Sequence, residues 1–250
     1  MDLNLAGRGA IVTGASKGLG RAAARALADE GAHVLAVART ESSLRELAGE
    51  KFAGTIHPHV CDMRDREQVA ALVDVAAKRL PSVDVVVNNA GIAPAADFLD
   101  MDMAVFDEVL EVNVTAIAVL SQAAGRHFVE RGGGRIVNIV STSGILGKAA
   151  LAAYSASKGA AIQLTKALAA EWARYDIQVN AIAPGAFATE AQAYVTGDPE
   201  VLRRRVRKIP ARRMADPEEF GPLVCFLSSP VAKFVSGAVY VIDGGETAKQ

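Results

Sequence analysis

Three observations predict an α/β fold built on a doubly wound parallel sheet. Short apolar runs alternate with helix-period stretches along most of the 250 residues. The runs are apolar throughout rather than alternating, as strands covered on both faces should be. Glycine-rich and polar turns follow those runs, at the strand ends where such sheets bind ligands.

Taken in order, "GAIVTG" (9–14) reads as a buried strand and "GRAAARALADEG" (20–31) as a helix ended by glycine. "HVLAVA" (33–38) is a strand, "ESSLRELAGE" (41–50) a helix and "TIHPHV" (55–60) a strand. The amphipathic helix at 66–80 stops before Pro81, and "VDVVVNNAG" (83–91) is a strand running into a turn. One long helix is expected over 103–128, a strand at 134–141 and a helix at 151–175. A strand and turn at 177–185, an irregular or short-helical stretch at 186–215, a helix at 217–229 and a strand at 238–245 complete the chain. Seven strands in one parallel sheet, with helices on both faces, make a Rossmann-type domain. No linker, repeat or low-complexity block is visible, so a single domain over 1–250 is expected.

Composition narrows the function. Lys+Arg total 27 and Asp+Glu 28, a net charge of −1 that argues against a nucleic-acid partner. No apolar run reaches the roughly 18 residues of a membrane span, and no basic segment precedes an apolar core at the N-terminus. Two cysteines, Cys61 and Cys225, cannot build a disulfide framework. A cytoplasmic protein with buried, reduced thiols is expected.

"TGASKGLG" places Gly14, Gly18 and Gly20 between the first strand and the first helix. Glycine lets backbone amides at a helix start approach a pyrophosphate closely. Ser16, Lys17 and Leu19 share this loop and are expected at the same cofactor. The second strand ends in "AVART", where a carboxylate would favour a ribose 2′-hydroxyl. Here Ala38 and Arg39 stand instead, with Lys17 nearby. Two cations suit a 2′-phosphate, so NADP(H) is expected in preference to NAD(H), which stays possible; solvated side chains are the alternative. Asp62, beside Met63 after the third strand, is expected to accept from an adenine amino group or to cap the helix beginning near Asp65.

"AAYSASKGAA" (152–161) puts Tyr154 and Lys158 four residues apart on one helical face. A nearby ammonium favours phenolate, and a drop of ~2–3 units would bring the tyrosine near the range of a general acid–base. Ser141 ends a strand 13 residues upstream and offers a hydroxyl to a substrate oxygen. Asn113, in the long preceding helix, offers an amide to a water.

Together, "TGASKGLG", "NNAG", Ser141 with "YSASK", "PGAFAT" and "VIDGG" resemble the short-chain dehydrogenase/reductase family, in its subfamily of this chain length, over nearly the whole chain. The resemblance implies that Tyr154 is the acid–base and that Lys158 tunes it and binds the nicotinamide ribose. It implies that Ser141 holds the substrate oxygen and that Asn113 positions a relay water. Asn89, Ala90 and Gly91 would line the adenosine-ribose side. Pro184, Gly185, the Phe187 backbone and the Thr189 hydroxyl would face the nicotinamide. No metal is implied. The implied substrate is a small carbonyl or secondary alcohol, with specificity in 92–100, 144–151 and a loop at about 186–214, and the implied assembly is a homotetramer.

The segment from "PGAFATE" to "CFLSSP" is similar both to gluconate 5-dehydrogenase-like sugar or polyol dehydrogenases and to 3-oxoacyl-carrier-protein reductases. Arg174 and Tyr175, in "WARYDIQ", speak mildly against an acyl-carrier partner. A non-catalytic dinucleotide-binding scaffold or redox sensor is the alternative of another class. "RRRVRK" (203–208) is either a solvated helix face or a basic lid for an anionic substrate. His57 and His59 lack a third ligand at metal-binding spacing, and Trp172 is expected in a core or subunit contact.

Overall fold

The computed structural model describes residues 2–249. Its strands are β1 (Gly9–Thr13), β2 (His33–Ala38), β3 (Thr55–Val60), β4 (Val85–Asn88), β5 (Gly134–Ile139), β6 (Ile177–Pro184) and β7 (Val239–Ile242). They form one seven-stranded parallel sheet in the order β3-β2-β1-β4-β5-β6-β7. The order reverses between β1 and β4, so the crevice at the carboxyl ends of these two strands is the ligand-binding switch point.

The main helices are α1 (Gly18–Asp29), α2 (Glu41–Ala48), α3 (Arg66–Arg79), α4 (Met103–Leu110), α5 (Ala116–Arg131), α6 (Ala152–Trp172), α7 (Ala193–Thr196), α8 (Pro199–Arg207) and α9 (Gly221–Ser228). β1 and β6 are buried at every position, which explains their unbroken apolar runs. Leu27, Leu44, Phe220 and Val224 fill the core on one face of the sheet, and Leu72, Leu120, Phe128 and Trp172 pack on the other. Burying one such large side chain contributes about 1.5–3 kcal/mol. Trp172 lies against Gly125, where an added Cβ would come within 2.9 Å of the indole. β3 tolerates Pro58 because it is an edge strand with only β2 beside it.

Several boundaries differ from the sequence expectation. The glycine loop passes straight into α1, which begins two residues early at Gly18 and ends at Asp29. The strands expected at 134–141 and 238–245 are shorter, because their carboxyl ends leave the sheet for the turns of the cleft, while 83–91 and 177–185 hold a strand followed by a turn, as expected. The segment 217–229 divides into a 3₁₀ turn over Pro217–Phe220 and then α9, the turn fixed by a capping box between Asp216 and Glu219.

The difference with a functional consequence lies at 103–128. That stretch is helical through Arg131, but a π-turn at Glu111–Thr115 divides it into α4 and α5. Such widened turns gather at functional sites, and Asn113 lies in this one. Among the described residues, no helix is long and apolar enough to cross a membrane.

Candidate active site

Four turns meet at the switch point. The first leaves β1 through Gly14, with φ +68°, and enters α1 through Gly18, with φ +55°. A Cβ on Gly14 would lie 2.7 Å from Asn89 Nδ2 and 2.9 Å from Ala90 Cα, so the loop is packed too closely for any side chain there. Asn89 Nδ2 donates to Thr13 O at 3.0 Å and to Gly14 O at 3.3 Å. Thr13 Oγ1 accepts from the backbone N–H of Asn89 and of Ala90. The sequence reading missed Thr13. As the last residue of β1 it ties the glycine loop to the "NNAG" turn, and its place at the top of the first strand was the available signal.

The first amide of α1 receives an anion in this structure. Gly18 N–H donates to Glu190 Oε2 at 3.1 Å. The carboxylate stands in for the kind of group that a pyrophosphate would present, and it shows that the residues present fit an anionic cofactor. Lys17 and Arg39 are exposed at the rim, with Ser16 and Leu19 half-buried in the loop.

Asp62 does not cap α3. Its carboxylate takes the Arg64 guanidinium, with Nε at 3.1 and 3.0 Å, and the helix α3 is capped by Asp65 instead. The Arg64 hydrogen bonds, assisted by the charge of Arg39, hold the Asp62 carboxyl below its usual range. Met63 is buried behind it.

The catalytic candidates converge from the "NNAG" turn, the π-turn, the end of β5 and α6. Lys158 Nζ is buried and donates to Ile139 O at 2.8 Å. It lies 5.7 Å from the centroid of the Tyr154 ring. A Cβ on Gly91 would meet Asn113 Oδ1 at 3.2 Å and Lys158 Nζ at 3.4 Å, so glycine there lets the turn lie against both groups. Ser141 is buried, and its Oγ accepts from Ser143 N–H at 3.0 Å, which fixes the turn after β5.

One expectation is corrected. Lys158 does not bring the Tyr154 phenol down in this structure. Burial raises it, and a hydrogen bond from Ser141 opposes that rise. The ammonium is itself deeply buried without a counter-ion, and burial pushes it down to about 8. The Asn113 side chain is engaged within the protein. Its Oδ1 accepts from Ile92 N–H at 2.9 Å, and its Nδ2 donates to Ile92 O at 2.9 Å and to Ser157 Oγ at 3.0 Å. Ser157 Oγ donates onward to Tyr154 O at 2.7 Å. Ser157 therefore links Asn113 to the tyrosine's own backbone. Its position one residue before Lys158 was visible in the sequence, but its partners are distant in the chain.

The last turn follows β6. Pro184 is buried, and a Cβ on Gly185 would meet Asp243 Cβ at 2.6 Å. Phe187 turns its ring inwards, edge-on to Phe220 with centroids 5.9 Å apart. The Thr189 side chain reaches 3.5 Å from the position a Gly18 Cβ would take. The segment after β6 thus closes over the glycine loop.

A family model described as enoyl-(acyl carrier protein) reductase, of the short-chain dehydrogenase type, matches residues 14–247. Galactitol 2-dehydrogenase (L-tagatose-forming) of Cereibacter sphaeroides is 40% identical over 97% of this chain and 96% of that protein. Gluconate 5-dehydrogenase of Gluconobacter oxydans is 37% identical over 98% of this chain and 96% of that protein. The chain belongs to the short-chain dehydrogenase/reductase family. Among solved structures, a gluconate 5-dehydrogenase of Burkholderia cenocepacia in complex with NADP and tartrate superposes with a TM-score of 0.92. It is 34% identical and the match covers 100% of this chain and 98% of that one. The fold, the family and an NAD(P)-dependent oxidoreductase activity follow from these likenesses together.

Proposed function

We propose that this short-chain dehydrogenase interconverts a ketone and a secondary alcohol on a sugar acid or polyol, with NADP(H) as its cofactor. The observation that carries the reading is the meeting of Ser141, Tyr154 and Lys158 at the carboxyl ends of the strands, beside a glycine loop that already receives an anion.

When bound, the nicotinamide supplies or takes the hydride. Gly14, Gly18 and Gly20, with Ser16, Lys17 and Leu19, would hold the pyrophosphate end, and Lys17 and Arg39 the 2′-phosphate. Asn89, Ala90 and Gly91 would border the adenosine-ribose side, with Asp62 and Met63 near the adenine. Pro184, Gly185, Phe187 and Thr189 would border the nicotinamide.

Tyr154 holds its proton at neutral pH as any phenol does, burial favours that form further, and a protonated phenol is the donor that carbonyl reduction needs. Ser141 polarises the same substrate oxygen. Lys158 would bind the nicotinamide ribose hydroxyls. Asn113 is a positioning residue: it clamps Ile92 and, through Ser157, the first turn of α6.

The specificity loop at about 186–214 supports an anionic substrate. Lys148, from the segment 144–151, is exposed, and its pKa is lowered by desolvation and then by the charge of Arg205. Arg205 is held by Glu246 through two bonds of 2.6 and 2.7 Å, so it is part of a built contact rather than a free surface charge. Arg204, Arg207 and Lys208 line a cavity of 510 Å³ beside it with Tyr194. A homotetramer is proposed on the apolar groups left outside, with Phe234 fully exposed and Val241 half-covered on edge strand β7.

Following NADPH oxidation across keto-sugar acids, keto-polyols and acetoacetyl thioesters tests the reading. A carboxylate-bearing keto-sugar should exceed its uncharged counterpart by about tenfold in kcat/KM, the value of one charge-assisted contact of about 1.5 kcal/mol. Preference for the thioester would instead identify a 3-oxoacyl-carrier-protein reductase. Nucleotide binding without turnover on any of them would identify a scaffold.

A further inference from the structure

A second polar cavity, of 280 Å³, lies at the amino-terminal edge of the sheet, on the side opposite the catalytic turns. Arg8, Arg131, Arg135 and Lys233 line it, with Asp84 and Asp176 as its carboxylates. Both carboxylates are already committed. Asp84 Oδ1 accepts from Arg131 at 3.0 Å and Arg8 at 3.3 Å, while its Oδ2 accepts from Gly9 N–H and Ser82 Oγ. Asp176 Oδ1 accepts from Gln178, and its Oδ2 lies 3.4 Å from Lys233.

The floor of the cavity is unfinished. Arg135 is 9% exposed, and one guanidinium nitrogen donates to two neutral carbonyls, Gly134 O at 2.9 Å and Asp176 O at 3.1 Å. Its Nε has no partner, and no described carboxylate forms an ion pair with it. Ser228 Oγ, on a residue 1% exposed, is also buried without a partner and lines the same cavity. A buried guanidinium with a free donor is costly unless an acceptor arrives. Burial also lowers its pKa, in keeping with a cation that lacks an anion.

We propose that this cavity is a binding site for a phosphoryl dianion. The group would accept from Arg135 Nε and Ser228 Oγ at the floor and face Lys233 and the two shared arginines at the rim. Arginine suits it because planar donors match tetrahedral oxyanions. The dianion could be free phosphate or the phosphate of a small monoester, and the volume admits either.

The test is calorimetric titration of the full chain, saturated with NADPH so that its own phosphate subsites are filled. Inorganic phosphate should bind once per chain with a Kd of about 1 mM or tighter. A hexose phosphate binding about tenfold more tightly would assign the site to a monoester; equal or weaker binding would assign it to free phosphate. Ser228→Ala and Lys233→Met should each weaken binding by about three- to tenfold without altering the fold. Arg135→Met should abolish binding, and circular dichroism would show whether that variant stays folded. No heat from phosphate, an unchanged Kd in both milder variants, or a crystal soaked in phosphate with water alone on Arg135 Nε would overturn the proposal.

Discussion

Replacing Lys158 with methionine should change how stability depends on pH. Nζ donates one bond, to Ile139 O, and burial lowers its pKa from 10.5 to about 8. The unfolded chain therefore holds more protons than the folded one between about pH 8 and pH 10.5, and stability rises with pH across that window. The difference of 2.5 units (10.5 − 8) corresponds to about 3 kcal/mol at 1.36 kcal/mol per unit. The cost is fully present below the folded value and gone above the unfolded one. Lys158→Met cannot show it. Urea unfolding of both proteins without nucleotide, from about pH 7 to pH 11, isolates the effect, because all other titrations cancel in the difference. The stability of wild type relative to the variant should climb by about 3 kcal/mol over the window. Parallel profiles would show that the ammonium is not destabilised by burial, and the reasoning would fall. A ribose hydroxyl that accepts from Nζ favours its charged form, so saturating NADP⁺ should move the window upwards.

Three further outcomes are expected. Glu190→Gln removes the anion that occupies Gly18 N–H, so NADPH should bind about two- to fivefold more tightly, the value of 0.3–1 kcal/mol at a helix start; fluorescence titration checks this, and an unchanged Kd refutes it. Gly14→Ala places a Cβ 2.7 Å from Asn89 Nδ2 at φ +68°, which should cost about 1–3 kcal/mol and weaken nucleotide binding; unfolding within about 0.5 kcal/mol of wild type would contradict it. Arg39→Asp should raise KM for NADPH by about tenfold or more and spare NADH, as loss of one charge-assisted contact implies; unchanged NADPH kinetics would remove Arg39 from the 2′-phosphate.

How much was legible in the sequence depends on how far apart the partners lie. Strand runs, the glycine loop and the four-residue spacing of Tyr154 and Lys158 are local patterns, and the fold holds each where the sequence put it. The π-turn at Glu111–Thr115 leaves no such pattern, since its apolar spacing resembles an ordinary helix. The tie from Asn113 to Ser157 spans 44 residues and the one from Gly18 to Glu190 spans 172, so neither could be read without the fold. The direction of the Tyr154 shift was misjudged for a related reason. The Lys158 neighbour is written in the sequence, but the burial that outweighs it is a property of the assembled cleft.

Proton transfer by one phenol at the substrate oxygen is the core of the account, and Tyr154→Phe measures it most directly. Steady-state turnover on the best substrate should fall by about 10²–10⁴-fold or more, while the NADPH dissociation constant changes by less than about twofold. Turnover near the wild-type rate in a folded, nucleotide-binding variant would contradict it.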